Sequence, residues 1–219
     1  PMTTEELDSI YALPFMRMPH PKYRGKTIAA YEMIKHSINT HRGCFGGCSF
    51  CTISAHQGKF VVSRSEDSIL EEVKKVSQLP DFKGYISDLG GPSANMYRLR
   101  GKNFDICRRC PRASCVFPNV CRNLNVDHRP MLELYGKVDA LTGVKKSVIS
   151  SGVRYDILLH KTGDDVIDGS LQAYTEELIK NHVSGRLKVA PEHTSPRVLS
   201  AIRKPSFDTF IRFNRIFDT

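Results

Sequence analysis

Three cysteines fall within eight residues, Cys44-Phe45-Gly46-Gly47-Cys48-Ser49-Phe50-Cys51, a spacing that requires a tight loop. Gly43, Gly46 and Gly47 supply the backbone freedom for it and let the chain approach a bulky inorganic group. The CxxxCxxC spacing offers three thiolates to a cluster with four iron corners and leaves the fourth iron without a protein ligand. An open position is what a reactive metal centre needs, because substrate or cofactor binds there. On the residues alone two blander readings stay open: three buried structural cysteines, or a zinc site completed by His41 or His56.

The other four cysteines, Cys107, Cys110, Cys115 and Cys121, lie within fifteen residues and can close a coordination sphere. Their spacing is more compact than the paired CxxC of a zinc ribbon, so a compact zinc knuckle and an additional iron–sulfur cluster both remain open. Pro111 and Pro118 stiffen this segment, and His128 is a spare ligand nearby. A metal here is expected to organise an insertion that otherwise lacks a core, coupling binding to local folding.

At 219 residues the chain is long enough for a substantial core. No apolar run approaches the roughly 18 residues of a membrane span, and the first thirty residues lack the apolar centre of a signal peptide. The cysteines therefore read as reduced thiols of a cytoplasmic protein with no membrane partner. The formal net charge of +9 favours anionic partners. Arg108, Arg109, Arg112 and Arg122 concentrate that excess within the second cysteine set, as charge compensation for a thiolate-ligated metal, as a nucleic-acid contact, or as solvated surface. The chain begins at Pro1 and ends at Thr219, straight after an amphipathic run through Phe207, Phe210, Ile211, Ile216 and Phe217, and reads as a fragment of a longer protein.

Strand and helix signals alternate. Residues 1–30 read as an irregular lead-in with a short helix near Thr4–Leu13, and 31–219 as the core. Strands are expected at 33–40, 84–89, 144–150 and 186–190. Helices are expected from a Ser65 cap to Pro80, over 129–141, over 170–182 and after Ser195-Pro196. The four-cysteine segment forms an insertion at 91–128, after the second strand. Such alternation predicts an α/β fold built on a parallel sheet. Each unusual motif follows the C-terminal end of an expected strand, the edge where α/β proteins build their sites. Four βα units make a partial (β/α) barrel, not a closed one.

With Phe50 before its last cysteine, the CxxxCxxC loop resembles the signature of the radical S-adenosylmethionine (SAM) superfamily. The strings Arg42-Gly43-Cys44-Phe45-Gly46-Gly47-Cys48, Ser87-Asp88-Leu89-Gly90-Gly91-Pro92-Ser93-Ala94-Asn95-Met96-Tyr97, Ser151-Gly152-Val153-Arg154-Tyr155-Asp156 and Ala190-Pro191-Glu192-His193-Thr194 resemble its YgiQ family over nearly the whole chain. The resemblance implies a [4Fe-4S] cluster on Cys44, Cys48 and Cys51, with SAM chelating the open iron. One electron from a donor such as a flavodoxin or ferredoxin would then cleave SAM to a 5′-deoxyadenosyl radical that abstracts hydrogen. It also implies SAM contacts from Phe50, Gly90, Gly91, Ser150, Ser151, Arg154 and Glu192. Where the superfamily commonly has Gly-Gly-Glu, Pro92 replaces the acid, and Asp88 is a candidate to supply the missing carboxylate. The resemblance leaves the substrate unnamed. Because some radical SAM relatives modify RNA, the basic insertion makes RNA one candidate. A non-catalytic nucleic-acid or protein-binding module with a degenerate SAM site is another reading. His193 reads as structural.

Overall fold

A computed structural model of the chain describes residues 1–218; Thr219, the last residue of the expected core, lies outside them. The chain runs α1 (Thr4–Tyr11), α2 (Ala29–Ile34), β1 (Ser37–Asn39), β2 (His41–Arg42), α3 (Ile53–His56), β3 (Val62–Ser63), α4 (Glu66–Ser77), β4 (Tyr85–Ile86), β5 (Asp88–Gly90), α5 (Phe104–Arg108), α6 (Arg129–Asp139), β6 (Lys146–Ser147), α7 (Tyr155–Leu158), α8 (Asp165–Asn181), α9 (Pro196–Ile202) and α10 (Phe207–Phe217).

The scaffold is a short parallel sheet with helices packed against it. β1 pairs in parallel with β5, with Ser37 opposite Asp88 and Asn39 opposite Gly90. β4 pairs in parallel with β6, Tyr85 opposite Lys146. Because Leu89 N donates to Val148 O at 2.9 Å, the 85–90 segment lies between the other two. The β2–β3 pair is antiparallel and stands apart. The expected strand at 186–190 does not form. That segment runs beside the β6 edge, held where Val153 N donates to Lys188 O at 3.2 Å. Gly185 at φ +100° and Pro191, which has no N–H to donate, bracket the segment, and the Val153–Lys188 bond is not extended into a ladder. The expected 33–40 strand is likewise trimmed, since Met33 and Ile34 complete α2. The described residues form parallel strand pairs and helices consistent with a partial β/α fold; a closed barrel is absent among them.

Helix boundaries follow local chemistry. Ser65 caps α4, its hydroxyl accepting from Ser68 N, with Glu66 and Asp67 in the first turn and Lys74 and Lys75 in the last. Ile69, Val73 and Val76 are buried from one face of α4 into a core with Ile38, Ile86, Leu89, Leu134 and Val138. α8 starts five residues before the expected 170 because Asp164 caps it through Val166 N and Ile167 N. Ser195 precedes α9 as expected but makes no side-chain cap.

The lead-in is more ordered than its composition predicts. Thr3 and Glu6 form a reciprocal capping box on α1. Ser65 N donates to Asp8 Oδ1 at 3.1 Å, and Arg17 Nη1 to Lys35 O at 3.2 Å. Both Arg17 and Arg64 pair with Glu72, whose side chain is 6% exposed against 1% for Arg64. Burial pushes the Arg64 guanidinium down to about 10. Its cost is offset by Glu72, by Ser68 and by the Tyr11 ring, 4.0 Å from the guanidinium carbon. Removing one partner of such a network strands a buried charge, at about 3–5 kcal/mol. Glu72→Ala is accordingly expected to lower unfolding stability in urea by that order. Lys74→Ala, which breaks only an exposed pair with Glu71, is expected to change it by less than about 1 kcal/mol.

Candidate metal and cofactor site

The three-cysteine loop leaves the sheet at Thr40, where Thr40 N and Oγ1 both donate to Gly90 O, at 2.7 and 3.1 Å. It is then clamped from three sides. Cys44 N donates to Gly58 O at 3.0 Å, and Ser54 Oγ to Cys44 O at 2.7 Å. From the second cysteine segment, Cys115 N donates to Phe45 O at 3.0 Å. From the end of α9, Arg203 Nη1 donates to Gly47 O at 2.8 Å and Ser49 N to Ile202 O at 3.2 Å. Gly47 has φ +61°, and a side chain there would run into the Ala113 carbonyl.

All seven cysteines are free and half-buried. Burial pushes the Cys44 thiol up, and its neighbours Cys48 and Cys51 are close enough for their charges to resist its ionisation further. Gly46 N opposes this by donating to Cys44 Sγ at 3.4 Å, and Arg154 Nη1 reaches Cys48 Sγ at 3.6 Å. Among the described residues no three His, Cys, Asp or Glu side chains converge around a single metal ion. A set of three neighbouring thiols, two of them met by N–H donors, suits a multi-iron cluster.

The expected cofactor contacts divide. Gly90, Gly91, Ser150 and Ser151 come together at the strand ends. Asp88 Oδ1 accepts from Ser150 N at 2.8 Å, Ser151 N at 3.0 Å and Ser151 Oγ at 3.0 Å. Burial raises the Asp88 carboxyl despite these three donors. One oxygen of the carboxylate considered as a substitute for the missing acid is thus engaged in tying the segment after β6 to β5. Arg154 turns toward the cysteines. Phe50 is 54% exposed, with Lys204 Nζ 5.8 Å from its ring. Glu192 is exposed at φ +69° and pairs with Lys204 at 3.4 Å. His193 Nδ1 accepts from Ser195 N at 2.8 Å, a local turn contact.

Asn95 escaped the sequence reading, and His41 entered it only as a possible zinc ligand. Asn95 is buried and holds Arg154 by both backbone groups, Oδ1 accepting from its N at 2.8 Å and Nδ2 donating to its O at 3.0 Å. His41 is fully buried against Gly91, where any side chain would meet its ring. Thr40 Oγ1 donates to Gly90 O and so accepts from His41 Nδ1 at 2.8 Å, fixing the tautomer. His41 Nε2 makes no hydrogen bond, although the Ser93 backbone lies near enough to favour its protonated form; burial outweighs this and pushes the imidazole down to about 3. Neither His41 nor His128 serves as a spare ligand. His128 Nδ1 donates to Val126 O at 2.7 Å, its ring packs 4.7 Å from Tyr174, and burial pushes it down to about 4.

The four-cysteine segment does not lack a core. Val116, Leu124 and Val126 are buried with Phe45, Met96 and Leu99, and Cys115 and Cys121 pack against this group. The segment therefore shares a core with the first cysteine loop. Cys107, Cys110, Cys115 and Cys121 border one cavity of ≈ 730 Å³, together with Lys59, Arg100 and Lys102. Asn123 Nδ2 donates to Cys107 Sγ at 3.2 Å. Burial raises the Cys115 thiol, and the other three cysteines add to this while Lys59 opposes it. Arg112 is not a surface cation: its Nη2 donates to Phe117 O at 3.1 Å and Asn119 O at 3.0 Å. Arg108, Arg109 and Arg122 are exposed.

Residues 38–215 match the family model for the radical SAM superfamily, and residues 1–37 match the model described as Radical SAM N-terminal. The chain belongs to the radical SAM superfamily. Within it the chain is of the YgiQ type. A UPF0313 protein of Bacteroides thetaiotaomicron is 67% identical over 218 residues, covering 100% of this chain and 35% of that protein. A UPF0313 protein of Porphyromonas gingivalis is 59% identical, covering 99% and 34%. The UPF0313 protein YgiQ of Escherichia coli is 48% identical, covering 100% and 28%. This radical SAM chain thus spans about a third of the length of the curated relatives it matches. Among its described residues no helix is long and apolar enough to cross a membrane.

The glycines of this radical SAM loop differ in what they tolerate. Gly47→Ala is expected to lose most of the iron bound after anaerobic reconstitution, because its methyl meets backbone that cannot swing away. Gly58→Ala, left-handed at φ +95° but open within 4 Å, is expected to keep its iron and cost only about 1–2 kcal/mol. Iron-to-protein ratios beside circular dichroism check both.

Proposed function

We propose that the chain is the core of a radical SAM enzyme that binds a [4Fe-4S] cluster on Cys44, Cys48 and Cys51. The observation that carries this reading is the loop itself: three neighbouring half-buried thiols, fixed by glycine backbone contacts, on a segment that leaves the sheet where Thr40 bonds the Gly90 carbonyl. Cys44, Cys48 and Cys51 would hold the cluster, which would supply the single electron for reductive cleavage of the SAM sulfonium to methionine and a hydrogen-abstracting 5′-deoxyadenosyl radical. The electron comes from an external low-potential donor of the flavodoxin or ferredoxin kind. The turn at Gly90 and Gly91 and the hydroxyls of Ser150 and Ser151 form the polar wall offered to SAM, and the Gly90 carbonyl is held in place by Thr40. Phe50 and Glu192 belong to that wall only if SAM draws them from their exposed positions. The free thiols suit the cytoplasm.

The second set, Cys107, Cys110, Cys115 and Cys121, supplies four thiolates to a further metal, zinc or an iron–sulfur cluster. Metal analysis and 5′-deoxyadenosine release separate the two sets. Cys48→Ser is expected to abolish 5′-deoxyadenosine formation under strong reductant while retaining the second metal. Cys107→Ser is expected to lose that second metal and keep the first cluster's iron. A folded, iron-loaded chain that never yields 5′-deoxyadenosine would instead favour the non-catalytic binding reading.

One observation favours an anionic substrate, RNA among them. Exposed Arg100 and Lys102 line the ≈ 730 Å³ cavity beside Phe104 and the second cysteine set. If RNA docks there, binding to tRNA weakens steeply with salt, and Arg100→Ala and Lys102→Ala each reduce the salt slope by about 1. Filter binding across a salt series checks this, and affinity indifferent to salt removes the RNA reading.

A further inference from the structure

Resting on the cluster reading above, the geometry points to a role for Arg154 as a positioning residue that stabilises the reduced cluster through the sulfur of Cys48. The guanidinium is already committed. Nε donates to Asp156 Oδ1 at 3.0 Å and Nη2 to Asp156 Oδ2, a two-pronged pair in which both side chains are 10% exposed. This arrangement leaves Nη1 as the free prong, and it points at Cys48 Sγ, 3.6 Å away. Position 46 makes room for it: a methyl group there would sit 2.8 Å from Nη1 and 3.2 Å from Cys44 Sγ. Both backbone groups of Arg154 are held by buried Asn95, so the side chain starts from a fixed root. The Asp156 carboxylate balances the guanidinium charge where both side chains are largely out of water.

The physical consequence concerns charge. Reduction adds one electron to the cluster, with no proton, and spreads negative charge onto its sulfur ligands. An N–H donor aimed at a ligand sulfur stabilises that added charge, one of the levers by which proteins set iron–sulfur potentials. Only a tenth of the Arg154 side chain is exposed, so water screens the donor weakly, and Asn95 and Asp156 prevent it from turning away. Asp156 has the opposite sign, cancelling part of the field while holding the fork in aim. Arg154 and Asp156 should therefore move the potential in opposite directions.

The test is an EPR-monitored redox titration, without SAM, of the 219-residue chain reconstituted anaerobically with iron and sulfide. Arg154→Gln is expected to destabilise the reduced state about tenfold, a shift of ~59 mV to lower potential for a one-electron couple. Asp156→Asn is expected to shift the potential upward, and Arg154→Lys to recover part of the loss. Opposite shifts at unchanged iron content support the proposal, since a merely structural pair would shift together or lose iron together. If Arg154→Gln loses its iron, the upward shift in Asp156→Asn decides alone. Potentials equal to the parent, with only SAM affinity reduced, overturn the proposal and make Arg154 a SAM contact. A parent chain that assembles no [4Fe-4S] cluster overturns the cluster reading as well, whereas a normal cluster indifferent to both substitutions overturns only the role of Arg154.

Discussion

Backbone packed on backbone around Gly47 is the constraint on which the rest of the site depends. On one side the Ala113 carbonyl lies where any side chain at 47 would be, and on the other Arg203 reaches the Gly47 carbonyl. Main-chain contact of this kind cannot relax by changing a rotamer, so the thiol loop takes its position from two distant parts of the chain at once. Arg203 bears a cost for this. It closes α9 in the left-handed region at φ 57°, where glycine is the usual residue, and a bulky side chain is retained there by what its guanidinium binds. The second cysteine segment is therefore structural support for the first, because Phe45 sits in the core built by Val116, Leu124 and Val126.

The strand ends follow a similar logic. Asp88 lies at the point where a parallel sheet offers its polar edge, yet its Oδ1 is spent on Ser150 and Ser151. That carboxylate fastens two strand ends together and so fixes the gap in which Gly90 and Gly91 stand. His41 fills the space behind Gly91, neutral and fully buried, with its tautomer set by Thr40. Pro92 in place of an acid leaves the turn's recognition surface to backbone groups and serine hydroxyls. A ligand there meets fixed dipoles at the sheet edge, and its discrimination depends on the register that Asp88 enforces.

Much of this was legible in the chain because it rests on local chemistry. The cysteine spacing, the glycines around it, the Ser65 cap and the α4 and α6 faces all announce themselves within a turn or two of sequence. What escaped depends on long-range contact. Hydrophobic pattern alone extended 186–190 into a strand, whereas that segment is held by Val153, by Lys204 on the Ala190 carbonyl and by core packing of Leu187 and Val189, and no ladder forms. The lead-in looked irregular because its anchors, Asp8 to Ser65 and Arg17 to Glu72, lie more than fifty residues away. The 91–128 segment looked coreless because half of its core, Phe45 above all, comes from outside it. Asn95 gave no signal beyond its place in a quoted phrase, for nothing in its own neighbourhood of the sequence says that Arg154 needs both of its backbone groups held.

The two cysteine sets differ most in how their positive charge is presented. Around the second set, Arg108, Arg109 and Arg122 stand in solvent, where water and salt screen them within about 10 Å at ordinary ionic strength. Such charges can attract an anion from outside but contribute little to the field at the sulfurs. Around the first set the Arg154 guanidinium is largely covered, forked onto a carboxylate and rooted through its backbone. Its field is small in reach but constant in direction. A centre that must take up an electron benefits from a field that does not reorganise on reduction. An exposed cationic rim suits capture of a charged partner.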